Sequence, residues 1–276
     1  MWYNRRPSVL ILPMKNKETV YAKIKGRWRV AAAFGLTALL VMACPLVSCG
    51  QEGAETYLGV ALDLNALYIW RGMAWSQGAV LQPSAWTNLL GYNLMIWANY
   101  PLSRESGRAG FNELDFFVQG TTARRAFNVV PGLNLYSYPG SAEEDPSTAE
   151  LTMTFYIPVG PVWIYQENNL DIAAYVGAYY AEFGLEMGNS LSETLSWEAS
   201  LSLSYASADF NQAYLDVSQA ALTAVGLHFG GEIRVAGAFG LRPHIEVCRL
   251  LQDFMRGDSG SPWRANIGLS IVWGQD

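Results

Sequence analysis

Beyond Lys25 the chain contains no lysine. Charged residues of all kinds make up 15% of its 276 residues, where a typical soluble domain carries about 25%. That scarcity argues against an ordinary cytosolic enzyme. A disordered chain is excluded as well, because 51% of the residues are hydrophobic and 13% aromatic. Cysteine is nearly absent: Cys44 and Cys49 fall within the first fifty residues, leaving Cys248 alone in the rest, so no disulfide framework is available. Histidine occurs only at His228 and His244, which excludes a His-rich metal site. The glycine pairs and runs at Gly230-Gly231 and Gly257–Gly260 lack phosphate-loop spacing. Nothing in the sequence calls for a cofactor.

What charge there is divides unevenly. Residues 1–49 hold eight bases (Arg5, Arg6, Lys15, Lys17, Lys23, Lys25, Arg27, Arg29) and one acid, Glu18. Subtracting these from the totals of 18 and 24 leaves ten bases, all arginine, against 23 acids, a net charge of −13. Nucleic-acid affinity comes from clustered Lys and Arg, so nucleic acid is excluded as a partner. The basic stretch Lys23–Arg29, the short apolar run Val30–Val41 and the small residues after it form a secretory signal pattern. Pro45 and Ser48 favour cleavage over a membrane anchor. The expectation is a signal region over 1–49, with translation starting at Met1 or at Met14, and export by the general secretory route. Leu46-Val47-Ser48-Cys49 matches a lipobox, which makes Cys49 a candidate for lipidation.

From residue 57 onward no apolar run is long enough to cross a membrane as a helix. Segments of about ten residues alternate polar and apolar instead. In the clearest, Leu195, Trp197, Ala199, Leu201, Leu203 and Tyr205 oppose Thr194, Ser196, Glu198, Ser200, Ser202 and Ser204. The polar face carries acids and arginines beside bulky Trp97, Phe117 and Tyr156, as a barrel lumen does. Tyr68, Trp70, Tyr100, Tyr205 and Trp273 sit at segment ends on the apolar face, where an interfacial girdle belongs. Soluble sheets protect their edges with lysine, and a closed barrel has no edges. These features predict an all-β fold: a single antiparallel up-and-down transmembrane β-barrel over residues 50–276. Strands are expected near 57–71, 79–90, 92–101, 111–121, 129–138, 149–157, 161–167, 171–185, 194–206, 219–233, 239–251 and 263–273, about twelve in all, an even number as such barrels require. Short turns alternate with polar loops such as Ser103–Gly110 and Gly140–Thr148.

Tyr68-Ile69-Trp70-Arg71-Gly72 ahead of Gln82-Pro83-Ser84, then Trp97 within Asn93–Asn99, then Glu113-Leu114-Asp115, resembles the TorF-type porins of bacteria. The resemblance covers 57–120 best and continues loosely through Glu150-Leu151 to the final Asn266–Trp273 segment. It implies an exported barrel of the bacterial outer membrane, in contact with outer-membrane lipid and with the barrel-assembly machinery during biogenesis. It leaves room for a pore for small solutes and supplies no catalytic residues.

Two inward clusters stand out. Asp63, Arg71, Glu113 and Asp115 read as a lumen charge cluster, either a constriction that selects by charge or a set of ion pairs tying strands together. Arg242, His244 and Glu246 read as a second, structural network. The competing functions are an outer-membrane hydrolase built on His244 with a lumenal serine, and a lipid-anchored soluble barrel with an apolar interior that binds an apolar ligand.

Overall fold

The structure is a computed structural model and describes residues 58–76, 78–89, 91–103, 110–120, 122–123, 127–139, 146–257 and 260–274. The signal region, Met14 and Cys49 lie outside the described residues. Twelve long strands alternate in direction: β1 (Leu58–Asn65), β2 (Val80–Leu89), β3 (Tyr92–Pro101), β4 (Glu113–Gly120), β5 (Asn128–Ser137), β6 (Thr148–Val159), β7 (Val162–Asp171), β8 (Tyr179–Ser190), β9 (Leu195–Ala206), β10 (Ala221–Ala236), β11 (Phe239–Leu250) and β12 (Trp263–Gly274). Each pairs with its chain neighbours, and β12 returns to β1 with Leu64 opposite Leu269 and Val60 opposite Trp273. The sheet is therefore closed, and its backbone donors and acceptors are paired between strands, as a span through hydrocarbon demands.

Side-chain direction follows the period of two. In β1, Leu58, Val60, Leu62 and Leu64 are exposed on the outside while Ala61, Asp63 and Asn65 are buried within. In β9, Leu201 is 49% exposed, whereas Ser202 and Ser204 are buried. Leu227, Ile267 and Ile271 continue the apolar exterior. An apolar outside around a polar inside is stable only in lipid, because each Å² of apolar surface left in water costs about 25 cal/mol. The soluble barrel with an apolar interior is thereby overturned: this is a transmembrane barrel. Among the described residues no helix is long and apolar enough to cross a membrane.

The connections at one end are long (66–79, 102–112, 138–147, 172–178, 207–220, 251–262). At the other end they are shorter (90–91, 121–127, 160–161, 191–194, 237–238).

Three elements differ from expectation. The first strand stops at Asn65, not at residue 71. Ile69–Trp70 turns back on Met73–Ala74 through Arg71 (φ 49°) and Gly72 (φ 83°). Positive φ at both central residues is the geometry of a two-residue type I′ hairpin. The hairpin packs inward with Tyr68 and Trp70 both 5% exposed, so neither belongs to the girdle. Outward aromatics at the long-loop end are instead Tyr100, Tyr179, Tyr205 and Trp263. Second, β7 runs on to Asp171 and β8 begins only at Tyr179. Third, helix α1 (Ala208–Leu215) occupies a connection expected to be irregular.

Candidate functional site: the lumen and its hairpin

Helix α1 is short and owes its position to a cap and an aromatic. The Ser207 hydroxyl accepts from the Phe210 amide at 3.1 Å, a standard N-cap arrangement. Phe210, 2% exposed, sits among Tyr214 (4.6 Å between ring centroids), Tyr180 (5.4 Å) and Trp70 (5.8 Å). Aromatic pairs of this kind contribute about 0.5–1.5 kcal/mol beyond their buried area. Small wall residues Ala178, Ala206 and Ala224 make room for the rings, and Leu250 and Met255 close over them. The hairpin is fitted closely: a Cβ on Gly72 would lie 2.9 Å from Leu250 Cδ2. Burial holds the Tyr214 phenol well above its ordinary pKa, so it stays neutral.

Arg71 lies in this apolar cluster. Its guanidinium stacks on Trp70 (4.3 Å) and Tyr180 (4.5 Å). Both terminal nitrogens donate to Glu150 of β6, at 2.8 and 2.7 Å, a bidentate fork. The two side chains are 6% and 2% exposed. Burial alone would favour the neutral guanidine, but the Glu150 carboxylate outweighs it and the arginine pKa moves upward. The Tyr136 hydroxyl donates to Glu150 as well, at 2.9 Å. A left-handed conformation costs a non-glycine residue about 1–2 kcal/mol; here it aims the guanidinium across to β6.

The expected four-residue cluster thus separates. Asp63, Glu113 and Asp115 point inward and are buried, at 0%, 3% and 0% exposure. Arg71 is not on their strand face but at the hairpin tip, and its ion pair is with Glu150 of β6. Glu113 accepts from the Tyr68 hydroxyl at 3.0 Å, so the hairpin is tied to β4 too. A relay of carboxamides runs beside these acids. Asn266 donates to Asn65, Asn65 to Gln82, Gln82 to Asn99 and Asn99 to Asn112, at 2.7–3.0 Å.

The second cluster lies on β10–β12. Arg242 donates to Glu232 at 2.8 and 2.7 Å, a partner the sequence did not single out. The His244 Nε2 is 2.8 Å from Asn65 Oδ1 and its Nδ1 3.3 Å from the Arg242 carbonyl. The ring reaches Asn65 across Gly268, where a Cβ would collide with both. His228 stacks on His244 at 6.2 Å and approaches Glu198 at 3.6 Å. Both His244 nitrogens face amide oxygens and, among the described residues, no serine is hydrogen-bonded to it, so the hydrolase reading is not favoured. Glu246 faces inward opposite His228 and Asn266.

The wall is polarised. Strands β1–β9 contain no Lys or Arg, while Asp63, Glu113, Asp115, Glu150, Glu167, Asp171, Glu182, Glu186 and Glu198 line their inner face. Arg234, Arg242 and Arg264 face inward from β10–β12. Exposure is polarised as well. Inward acids near the long-loop end are buried, but the side chains of Glu198, Arg234 and His228, nearer the short turns, are 59%, 48% and 31% exposed. Among the described residues no group of His, Cys, Asp and Glu is placed to hold a metal ion.

No protein-family model and no curated protein sequence matches the chain. Solved structures do. The NanC porin is similar with a TM-score of 0.51 at 10% identity, over 78% of this chain and 98% of that one. The KdgM porin gives 0.48 at 7% identity over 77% and 97%. The outer membrane channel of Pseudomonas putida F1 gives 0.45 at 10% identity over 80% and 95%. At such identities the likeness concerns the fold.

Proposed function

We propose that the protein is a porin-like barrel of the bacterial outer membrane, of the TorF type, that passes small solutes. The 66–79 hairpin would serve as its constriction. The observation that carries this reading is the exposure of Glu198, His228 and Arg234 inside the barrel. A solute path requires inward charges that water reaches, and these three side chains meet that requirement. Asp63, Glu113 and Asp115 belong to the acidic side of the wall, and Arg242 and His244 with Glu246 to the side that carries the bases. In this reading residues 1–49 are a leader removed on export, Cys49 is the lipidation site if a lipid is attached, and the assembly machinery inserts the barrel.

Single-channel recording of the purified protein in planar bilayers tests the proposal. The surplus of lumenal carboxylates should concentrate cations and give a cation-preferring reversal potential across a salt gradient. Conductance should rise when Glu150→Gln loosens the grip on Arg71. A clear anion preference would overturn the charge argument, and absence of conductance from both proteins would overturn the channel.

A further inference from the structure

Among the described residues, the outer surface of the barrel carries a chemical anomaly. Along each of the other strands, the outward positions between the end girdles are apolar or small, as Val60, Leu62 and Leu64 of β1 and the leucines of β9 illustrate. On β7 they include two carboxamides, Gln166 and Asn168. Register leaves no doubt about their direction: Gln166 lies between Phe155 and Phe183, and Asn168 between Met153 and Ala181. Tyr165, Glu167 and Asn169 take the inward positions, and Glu167 accepts there from Asn169.

Asn168 is satisfied within the chain. Its amide donates to the Met153 carbonyl at 3.0 Å, and its oxygen accepts from the Tyr179 hydroxyl at 2.7 Å and from Gln166 Nε2 at 3.1 Å. Gln166 is half satisfied. That bond uses one of its two amide hydrogens, and among the described residues neither the other hydrogen nor Oε1 has a partner. Beside it is an apolar hollow of about 530 Å³, lined by Phe155, Ile164, Phe183, Leu185 and Leu201 with Gln166 among them. Hydrocarbon offers neither a donor nor an acceptor, so a carboxamide at this depth is costly unless another polar group meets it.

We infer that this face of β6–β9 is where two copies of the barrel associate in the membrane, with Gln166 paired to Gln166 of the second copy. The remaining valences of Gln166, one donor and one acceptor on a planar group, are self-complementary. Placed across a two-fold axis, two such groups form reciprocal N–H···O bonds, which is the isologous arrangement expected of a dimer. The hollow gives the flanking apolar side chains of each copy a place to interlock, since packing and interchain polar bonds drive association in lipid where the hydrophobic effect does not. The inference does not depend on the proposed channel.

Cross-linking in native membranes tests it. Cysteine is introduced by Ile164→Cys, outward beside Gln166, or by Leu62→Cys, outward on β1 at the far side of the closed sheet. A short bismaleimide is then applied, and the parent protein, whose Cys248 is buried, gives the background. Ile164→Cys should yield a dimer band and Leu62→Cys should not. Adding Gln166→Leu to Ile164→Cys should cut the dimer at least several-fold while the barrel keeps its folded, heat-modifiable mobility, because leucine suits a lipid-facing site. Equal cross-linking at both positions, no dimer at Ile164→Cys, or a dimer unaffected by Gln166→Leu would overturn the inference. So would a monomeric parent that retains a tightly bound lipid lost in Gln166→Leu, which would assign the carboxamide to lipid instead.

Discussion

The two sides of the lumen wall solve the problem of enclosed charge differently. On β1–β6 the inward carboxylates are buried among tyrosines, carboxamides and one arginine brought in by a hairpin. On β10–β12 the arginines pair within the wall, as Arg242 does with Glu232, and stay partly in water. Strand length sharpens the contrast, since β1 has 8 residues and β10 has 16. A buried charge must be matched locally or it destabilises the fold; a hydrated one need not be and remains available to solutes. The acidic side therefore supplies rigidity around the hairpin, and the basic side with Glu198 supplies an accessible surface.

The sharpest way to break this contrast is Glu150→Ala. Removing one partner of a buried ion pair costs roughly 3–5 kcal/mol, and Arg71 would be left among aromatic rings. The barrel strands do not depend on that pair, so the cost should fall on the hairpin. Trypsin should cut after Arg71 in Glu150→Ala while sparing that bond in the parent, as read by mass spectrometry of folded protein. Cleavage at equal rates would mean that the pair does not hold the hairpin.

Exchanging the environments of neighbouring residues is the next largest test. Arginine on a lipid-facing site near mid-membrane costs about 2–4 kcal/mol, so Leu201→Arg should lower stability by that much in urea titrations in lipid vesicles. Ser200→Arg, one residue away but lumenal and opposite Glu186 and His228, should cost far less. Equal losses would contradict the register of β9. Ser207→Ala should have a smaller effect, about 1 kcal/mol from the lost N-cap, seen as faster trypsin access to the hairpin that α1 supports.

Legibility in the sequence tracked how faithfully each segment kept to one period. β9 alternates without exception, and its limits and facing were readable directly. β7 places Gln166, Glu167, Asn168 and Asn169 in succession, polar on both faces, so the pattern stopped at residue 167 although the strand continues. The hairpin was hidden for the opposite reason. Tyr68 and Trp70 prolong the alternation of β1, and only the left-handed turn at Arg71-Gly72 ends it. Nor could spacing choose Glu150 over Glu113 or Asp115 as the partner of Arg71, because all three are inward acids and the choice depends on where the hairpin tip reaches. Helix α1 had a local signature in Ser207-Ala208-Asp209, too short to outweigh the surrounding strand pattern.

The smallest expected effect bears on the hydrated side itself. Arg242→Gln removes a positive charge from the wall and also releases Glu232, which now receives two hydrogen bonds from that guanidinium. Both changes act in the same direction, making the path more negative. A unit charge about 8 Å from an ion in water is worth about 0.5 kcal/mol, roughly a twofold change in local cation concentration. Anions are depleted by the same factor, so the preference for cations over anions should rise about fourfold at low salt. It should shrink toward the parent value as ionic strength brings the screening length down to about 3 Å at 1 M. Arg249→Gln is the matched control: that residue sits on the outer surface over Trp263, at 5.8 Å, where it faces no solute path. A shift in reversal potential for Arg242→Gln and none for Arg249→Gln would place the ion path against β10–β12. Equal shifts would show that net charge alone sets the selectivity, and the difference between the two walls would lose its functional meaning.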